Sequence, residues 1–175
     1  MVDRRVCFEG TTPRETNMSV DTISFSVLTN LEEKEKVAAM MRLLHEEDWS
    51  AFNLDVSRFP SSIEYIVSNP FAGQIVLFRE AGEVKGYALL VPFWSNEFGG
   101  TILFVDELFV EPGSRNRGIG RSFFRYLERE QPFRPVAFGL GVSPKNNRAR
   151  RLYESVGFVE LSYTTLTRPA LSSAD

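Results

Sequence analysis

Hydrophobic and polar residues recur along the first third of the chain at spacings that predict a strand followed by two helices. Residues 23–27 alternate apolar side chains with serines, which is the period-two pattern of a strand. Apolar residues at helical spacing then predict a helix over residues 31–47, for which Asn30 is a candidate N-cap. A second helix opens at Pro60 and ends at Asn69-Pro70, because proline suits a first helical turn and disfavours helix in the residue before it.

Three strands are predicted in the middle of the chain. Residues 74–79 and 84–93 are separated by a short turn that contains glycine, so they are expected to form a hairpin. Residues 101–110 make the third strand, within which residues 102–105 are apolar at consecutive positions. Burial on both faces accounts for such a run, so this strand is placed at the centre of the sheet.

Helices and strands alternate in the last third of the chain. The pattern predicts helices over residues 118–130 and 146–155, and strands over residues 135–142 and 158–166. The complete order is β-α-α-β-β-β-α-β-α-β. The alternation requires part of the sheet to be parallel with right-handed crossovers, so the predicted fold class is α/β (α+β).

Length and composition indicate one ordinary globular domain. The chain has 175 residues, of which 43% are hydrophobic and 25% are charged. We place the domain at residues 22–168. Residues 1–21 show little periodicity and are expected to be a disordered leader, and residues 169–175 form a tail.

Charge and cysteine content exclude several classes of protein. Lys plus Arg number 20 against 23 Asp plus Glu, and a net charge of −3 argues against a nucleic acid as the main partner. A lone cysteine, Cys7, excludes an intrachain disulfide, and with only one histidine no Cys/His metal site is expected. The apolar runs are too short to span a membrane and the first residues do not resemble a signal peptide, so a cytoplasmic protein is expected.

The most informative segment covers residues 110–121, where a buried strand ends, a loop with three glycines follows and a helix starts. The first helical turn leaves backbone N–H groups unpaired, and the helix dipole adds positive charge there. Glycine lets an anion approach the backbone closely. Because Arg115, Arg117 and Arg121 surround this point, the segment predicts a site for a pyrophosphate.

Two other phosphate-binding motifs fit this segment less well. Gly113 and Gly118 have the spacing of a Walker loop, but Ile119 and Gly120 stand where lysine and a hydroxyl residue are required. A dinucleotide fingerprint needs a third glycine where Phe123 stands. A glycine-rich turn with a solvated arginine cluster remains the alternative.

The pattern that fits is Arg-x-x-Gly-x-Gly at Arg115, Gly118 and Gly120, which resembles the coenzyme A pyrophosphate loop of the GNAT acetyltransferase superfamily. A second motif of that family is reproduced by Asn146, Ala149, Tyr153, Gly157 and Phe158. The resemblance covers residues 22–167. It implies a GNAT fold, with a mixed central sheet of about six to seven strands, about four flanking helices and a bulged strand before the phosphate loop.

The resemblance also implies the chemistry: an amine attacks the thioester of acetyl-CoA directly, with no acyl-enzyme and no metal. The bulged strand would pair with the pantetheine arm, and the Val110 amide would face the acetyl carbonyl. Tyr153 would be the general acid for the departing thiolate, although a purely structural core aromatic is the alternative. The expected coenzyme contacts are Leu108, Phe109, Val110, Arg115, Asn116, Arg117, Gly118, Ile119, Gly120, Arg121, Asn146 and Tyr153.

Asp106 and Glu107 are the candidate proton acceptors, because a partly buried carboxylate at the inner end of an apolar strand gains basicity. Neighbours on a regular strand point to opposite faces, so at least one of the two is expected in solvent. Many family members carry a catalytic glutamate on the next strand, where this chain has Gly141. The choice between Asp106 and Glu107 stays open at this stage.

The acceptor is expected to be a primary amine of a small molecule, either polyamine- or diamine-like or amino-acid-like. Residues 92–110 are similar to the corresponding part of diamine (spermidine/spermine-type) acetyltransferases, although the order Asp-Glu is reversed. Carboxylates and aromatic faces suit a cationic amine, and the candidates are Trp94, Glu97, Asp106, Glu107, His45 and Trp49.

The sequence leaves alternatives for the role of His45, for the function and for the assembly. His45 is alternatively a surface or packing residue. A protein or peptide N-acetyltransferase, a non-catalytic acetyl-CoA-binding module and a nucleotide-binding protein are the alternative functions. The resemblance also raises a homodimer as a candidate assembly, because family members are frequently dimers.

Overall fold

In the part of the chain that the structure describes, five strands form one sheet, and four α-helices cover its two faces. The computed structural model describes residues 23–47, 55–162 and 164–168. The elements are β1 (Ser24–Val27), α1 (Lys34–Glu47), α2 (Phe59–Ser68), β2 (Gln74–Glu80), β3 (Glu83–Ser95), β4 (Gly100–Val110), α3 (Ile119–Glu130), β5 (Ala137–Leu140) and α4 (Asn147–Ser155). Short 3₁₀ turns precede α2 and α3.

The strands lie in the order β1-β2-β3-β4-β5, so neighbours in sequence are neighbours in the sheet. The first four strands are antiparallel, and β5 pairs with β4 in parallel after the crossover through α3. This mixed sheet confirms the predicted fold class. Among the described residues the sheet has five strands, fewer than the six to seven that the resemblance implied.

The core has one apolar cluster on each face of the sheet. On one face, α1 and α2 pack their buried side chains on β2, Tyr87 of β3 and Phe109 of β4. On the other, α3 and α4 cover Leu103 and Val105 of β4, and Phe123 of α3 is fully buried in this cluster. Aromatic rings in contact, such as Phe78 and Phe123 at 4.8 Å, add to this second cluster. Apolar clusters therefore cover both faces of β4 on the way to the loop before α3.

A bulge interrupts β4, as the resemblance implied. Leu90 of β3 faces Val105, whereas the preceding Leu89 faces Glu107, so Asp106 is the extra residue. The pairing with β5 ends at Val105 and Leu140. Beyond that point β4 continues to Val110 without a described neighbour on that side, and a wedge opens between the two strands.

The predicted strand over residues 158–166 is wrong: the described residues of that range form no strand. Val159 is 80% exposed and Leu161 is 55% exposed, so the apolar side chains that suggested a strand have no face to cover. Strand formation depends on such packing more than on intrinsic preference. The strand predicted over residues 135–142 is shorter than expected, at Ala137–Leu140.

The helix predicted from residue 31 begins at Lys34 instead. The Asn30 side chain accepts the Glu32 N–H at 3.0 Å, which closes a turn before the helix rather than capping it. The leader, the tail from residue 169 and Trp49 lie outside the described residues, and their predictions are not tested.

Candidate active site

A cavity of about 1010 Å³ lies at the wedge between β4 and β5, with α3, α4 and the end of α1 around it. Many of the predicted site residues line it together. They are His45, Asp106, Glu107, Leu108, Phe109, Val110, Arg115, Asn116, Gly118, Ile119, Gly120, Arg121, Asn146 and Tyr153. The cavity thus brings the phosphate loop and the candidate proton acceptors into one site.

The first turn of α3 is left open toward an anion. Gly118 occupies the N-cap position at φ +78°, and no side chain caps the helix. Asn116 also has a positive φ, of 62°, which lets the loop turn sharply before the helix. Gly120 allows a close approach between helices, because a Cβ there would lie 2.6 Å from Cδ2 of Leu152 in α4. The uncapped N–H groups of this turn form the strongest feature for phosphate binding.

The three loop arginines have different surroundings. Arg121 lines the cavity and donates to the side chain of Ser155 at 2.7 Å, which ties α3 to α4. Arg115 also lines the cavity, but its guanidinium donates to the Val110 carbonyl and to the Glu47 carboxylate. Arg117 is not among the lining residues and forms an ion pair with Glu80. Of the predicted charges, Arg121 is therefore the one best placed for an anion.

Two cations at the cavity were missed by the sequence analysis. Lys145 and Arg148 line it beside Asn146, at the start of α4. Neither side chain forms an ion pair with any described residue. The available signal was their position in the sequence, since both flank the asparagine of the second motif. They extend the positive region that starts at α3.

The edge of β4 presents backbone groups to the wedge. The Glu111 N–H donates to Lys85 of β3 at 2.8 Å, and alternation along the strand then directs the N–H groups of Leu108 and Val110 away from β3. The Val110 carbonyl points the same way, since it accepts from Nε of Arg115 at 2.7 Å. A ligand that lies in the wedge can pair with this edge as a further strand would.

The bulge places both candidate carboxylates at the cavity. The alternation expected from a regular strand does not hold here, because Asp106 and Glu107 together oppose one residue of β3. Reduced hydration in the concave surface raises the pKa of Asp106, and the neighbouring charge of Glu107 raises this pKa further, while His45 lowers it. No described residue donates a hydrogen bond to Asp106.

Glu107 is held on both oxygens. The Tyr87 hydroxyl donates to Oε2 at 2.7 Å, and Nε2 of His45 lies 3.1 Å from Oε1. His45 itself stacks on Phe59, with ring centroids 5.3 Å apart. Tyr87 is fully buried, and burial together with the charge of Glu107 raises the pKa of its phenol, which keeps the hydroxyl a donor. Tyr87 was missed because its pairing with Glu107 depends on the register between β3 and β4.

Tyr153 and Asn146 reach the cavity from α4 and the residue that precedes it. The Tyr153 ring packs edge-on against Phe124 and Phe158, at 5.9 and 6.0 Å between centroids, so its orientation is fixed by the core. The side-chain oxygen of Asn146 accepts the Ala149 N–H at 3.0 Å and caps α4. This cap explains the asparagine of the second motif structurally.

The predicted acceptor residues Trp94 and Glu97 do not line this cavity. They lie at the turn between β3 and β4, and Trp94 faces Thr101 at the opposite end of β4 from Glu107. Glu107 lies six positions after Thr101 along the strand, which corresponds to roughly 20 Å. Trp94 is 68% exposed there.

No group of three or more His, Cys, Asp or Glu side chains in the described ranges could hold a metal ion. Within those same ranges, no helix combines the length and the apolar composition needed to cross a bilayer.

Comparison with known proteins identifies the family. The model of the acetyltransferase (GNAT) family matches residues 38–158, which include both motifs and most of the sheet. No curated protein matches the sequence.

Solved structures show the same fold at low identity. A possible acetyltransferase from Clostridium difficile 630 superposes with a TM-score of 0.73 and 18% identity, over 86% of this chain and 99% of the other. A ribosomal-protein-alanine N-acetyltransferase from Brucella melitensis biovar Abortus 2308 reaches 0.67 and 15%, over 84% and 99%. AAC(6')-Iy in complex with a CoA-S-monomethyl-acetylneamine bisubstrate analogue reaches 0.65 and 16%, over 86% and 99%.

The family match spans well over half of the chain, and the uncapped helix, the open strand edge and the bulge give it a structural basis. Acetyl-CoA is accordingly the acetyl donor. The chain belongs to the acetyltransferase (GNAT) family and is an N-acetyltransferase.

Proposed function

We propose that this enzyme acetylates a primary amine of a small cationic molecule. The observation that carries the proposal is the charge distribution in the cavity. Arg121, Lys145 and Arg148 line the part next to α3 and α4, whereas Asp106 and Glu107 line the part next to α1. Such a cavity suits an anionic donor at one end and an ammonium group at the other.

The donor would be held mostly by backbone groups. The uncapped first turn of α3 would take the diphosphate, and the edge of β4 at Leu108 and Val110 would pair with the pantetheine arm. The Val110 N–H would then lie at the acetyl carbonyl, where it would stabilise the developing oxyanion. Arg121 would add fixed positive charge at the diphosphate.

The transfer needs two proton movements besides the attack. A carboxylate of the pair formed by Asp106 and Glu107 takes one proton from the bound ammonium group, which frees the nitrogen lone pair. The nitrogen attacks the thioester carbonyl, a C–N bond forms and the C–S bond breaks. The Tyr153 hydroxyl gives its proton to the thiolate and recovers one from the nitrogen of the new amide. One proton is released to solvent per turnover.

An assay of thiol release over a panel of amines tests the proposed function. Polyamines, amino acids, aminoglycosides and peptide N-termini should be compared at one donor concentration. We expect the highest kcat/KM with small di- or polycationic amines. Preference for peptide N-termini would make the enzyme a protein acetyltransferase, like its Brucella neighbour. Donor binding without turnover of any amine would indicate a binding module.

Replacement of Tyr153 by phenylalanine tests the acid. The variant keeps the ring and its packing, so donor binding should be unchanged, whereas kcat should fall about 100-fold because the proton donor is lost. Thiol-release kinetics and the melting shift with acetyl-CoA measure these two effects separately. Unchanged turnover would remove Tyr153 from the mechanism.

Light scattering tests whether the chain forms the candidate homodimer.

A further inference from the structure

The two neighbouring carboxylates of β4 differ in how the protein holds them. Both oxygens of Glu107 have a partner, with the Tyr87 hydroxyl at 2.7 Å and Nε2 of His45 at 3.1 Å. Its side chain is 14% exposed. Asp106 accepts no hydrogen bond from any described residue, and it lines the open cavity. A group that takes a proton needs a lone pair that a substrate can reach, and this condition separates the two.

We propose that Asp106 is the general base of acetyl transfer, and that Tyr87 and His45 hold Glu107 as a fixed negative charge beside it. Glu107 and Tyr87 are then positioning residues. This inference rests on the proposed function, because it assigns the proton acceptor for the amine.

The bulge is what creates this division of roles. Without the extra residue, Asp106 and Glu107 would point to opposite faces of the sheet. With it, Glu107 turns toward Tyr87 and His45 on the α1 side, while Asp106 remains next to it at the cavity. Two carboxylates this close cannot both lose their protons easily, so the charge of the one that is held makes the other more basic.

The groups around Asp106 act in both directions. Reduced hydration raises the pKa of Asp106 most, Glu107 on the same strand raises it further, and His45 at the end of α1 lowers it. Glu47, also at the end of α1, is engaged by Arg115, which reduces its influence. Tyr87 acts on Asp106 through Glu107, because the hydroxyl fixes the position of that carboxylate. Removing the negative charge of Glu107 should therefore lower the pKa of Asp106.

Kinetics of three variants test the assignment. Asp106→Asn should lower kcat about 100-fold at all pH values, since the base is lost. Glu107→Gln should keep most of the activity at high pH and shift the acid limb of the kcat/KM profile to lower pH. Tyr87→Phe should shift it in the same direction by less. Glu83→Gln, a carboxylate at the distant β2–β3 turn, is the matched control and should leave the profile unchanged.

The opposite result would overturn the assignment. If Glu107→Gln abolishes turnover while Asp106→Asn keeps it, Glu107 is the base. If the acid limb of Glu107→Gln and Tyr87→Phe does not move, these residues are merely structural.

A second measurement does not depend on turnover. The titration of the Asp106 side-chain carbon, followed by ¹³C NMR, should have a higher midpoint in the wild type than in Glu107→Gln. Equal midpoints would contradict the electrostatic coupling even if amines are acetylated. A shifted midpoint in a protein that acetylates no amine would preserve the coupling while the proposed function failed.

Discussion

At the scale of single residues, the Arg115 guanidinium connects three parts of the site. Its Nε donates to the Val110 carbonyl at 2.7 Å, and one terminal nitrogen contacts both oxygens of Glu47 at 2.8 Å. It also lies over the Phe109 ring at 5.5 Å. A motif arginine that the sequence suggested for a phosphate thus braces the end of β4 against α1.

Replacement of this arginine should affect stability more than donor binding. We expect Arg115→Gln to lower the free energy of unfolding by about 1–2 kcal/mol, because a charge-assisted hydrogen bond is lost in a partly buried position. Urea denaturation measures it, with Arg125→Gln on the exposed face of α3 as control. Unchanged stability with weaker acetyl-CoA binding would instead place the guanidinium on the donor.

Asp106 should illustrate a conflict between stability and function. Its raised pKa means that the folded protein binds this proton more tightly than the unfolded chain does. Stability is therefore lost as pH rises from the ordinary value of 3.8 through the raised pKa. We expect Asp106→Asn to melt at a higher temperature than the wild type at pH 7, and the difference to disappear below pH 3.8. Calorimetry over pH checks this, and a lower melting temperature at pH 7 would contradict it.

At the scale of elements, α3 and α4 are in close contact beside the predicted phosphate site. Gly120 and Leu152 touch so closely that no Cβ fits without movement, and Arg121 fastens the same two helices at Ser155. Glycine at this position is therefore explained by helix packing. The ligand-facing N–H groups of the α3 turn depend on that packing for their position.

A methyl group at this contact should disturb both stability and binding. We expect Gly120→Ala to displace the end of the Leu152 side chain, which weakens acetyl-CoA binding at a cost of at most about 1 kcal/mol in stability, because alanine favours the helix. Adding Leu152→Ala should restore much of the donor affinity, because space returns. Gly113→Ala is the control, since nothing lies within 4 Å of a Cβ there. Equal behaviour of the two alanine variants in calorimetry and donor titration would refute the packing argument.

Elements that depend on residues close together in the sequence could be predicted, whereas contacts between residues far apart in the sequence could not. The helices and the central strands were recognisable because periodicity is local, and the phosphate loop because its glycines are close in sequence. The contact between Tyr87 and Glu107 could not be recognised, since the two residues are 20 positions apart and meet only through the register of β3 and β4. The strand over residues 158–166 was wrong for the same reason: local β preference does not show whether a neighbour exists.

At the scale of the whole molecule, the net charge of −3 conceals a cavity with opposite charges at its two ends. The positive end combines Arg121, Lys145 and Arg148 with the start of α3. Burial of the middle of β4 between two apolar clusters keeps these ends at a fixed separation. A small net charge is therefore compatible with strong local attraction for a polyanion.

Donor affinity should depend on this positive end. We expect Lys145→Gln and Arg148→Gln each to raise the Kd for acetyl-CoA about two- to fivefold, since exposed charges contribute roughly 0.5–1 kcal/mol. The wild-type Kd should also rise with ionic strength, and less steeply in the double variant. Arg151→Gln is the control, because Arg151 lies on α4 with Arg148 but does not line the cavity. Calorimetric titrations at several salt concentrations give the answer, and slopes that match would exclude both residues.

The wedge between β4 and β5 has a consequence for the lifetime of the protein. Because β4 and β5 separate after Val105, the strand edge beyond it has no hydrogen bonds to β5, and a bound pantetheine arm would supply hydrogen bonds there. Molecules carrying the donor should open less often and resist proteases longer than empty ones. The rate at which proteases degrade the enzyme would then depend on the concentration of its own acetyl donor.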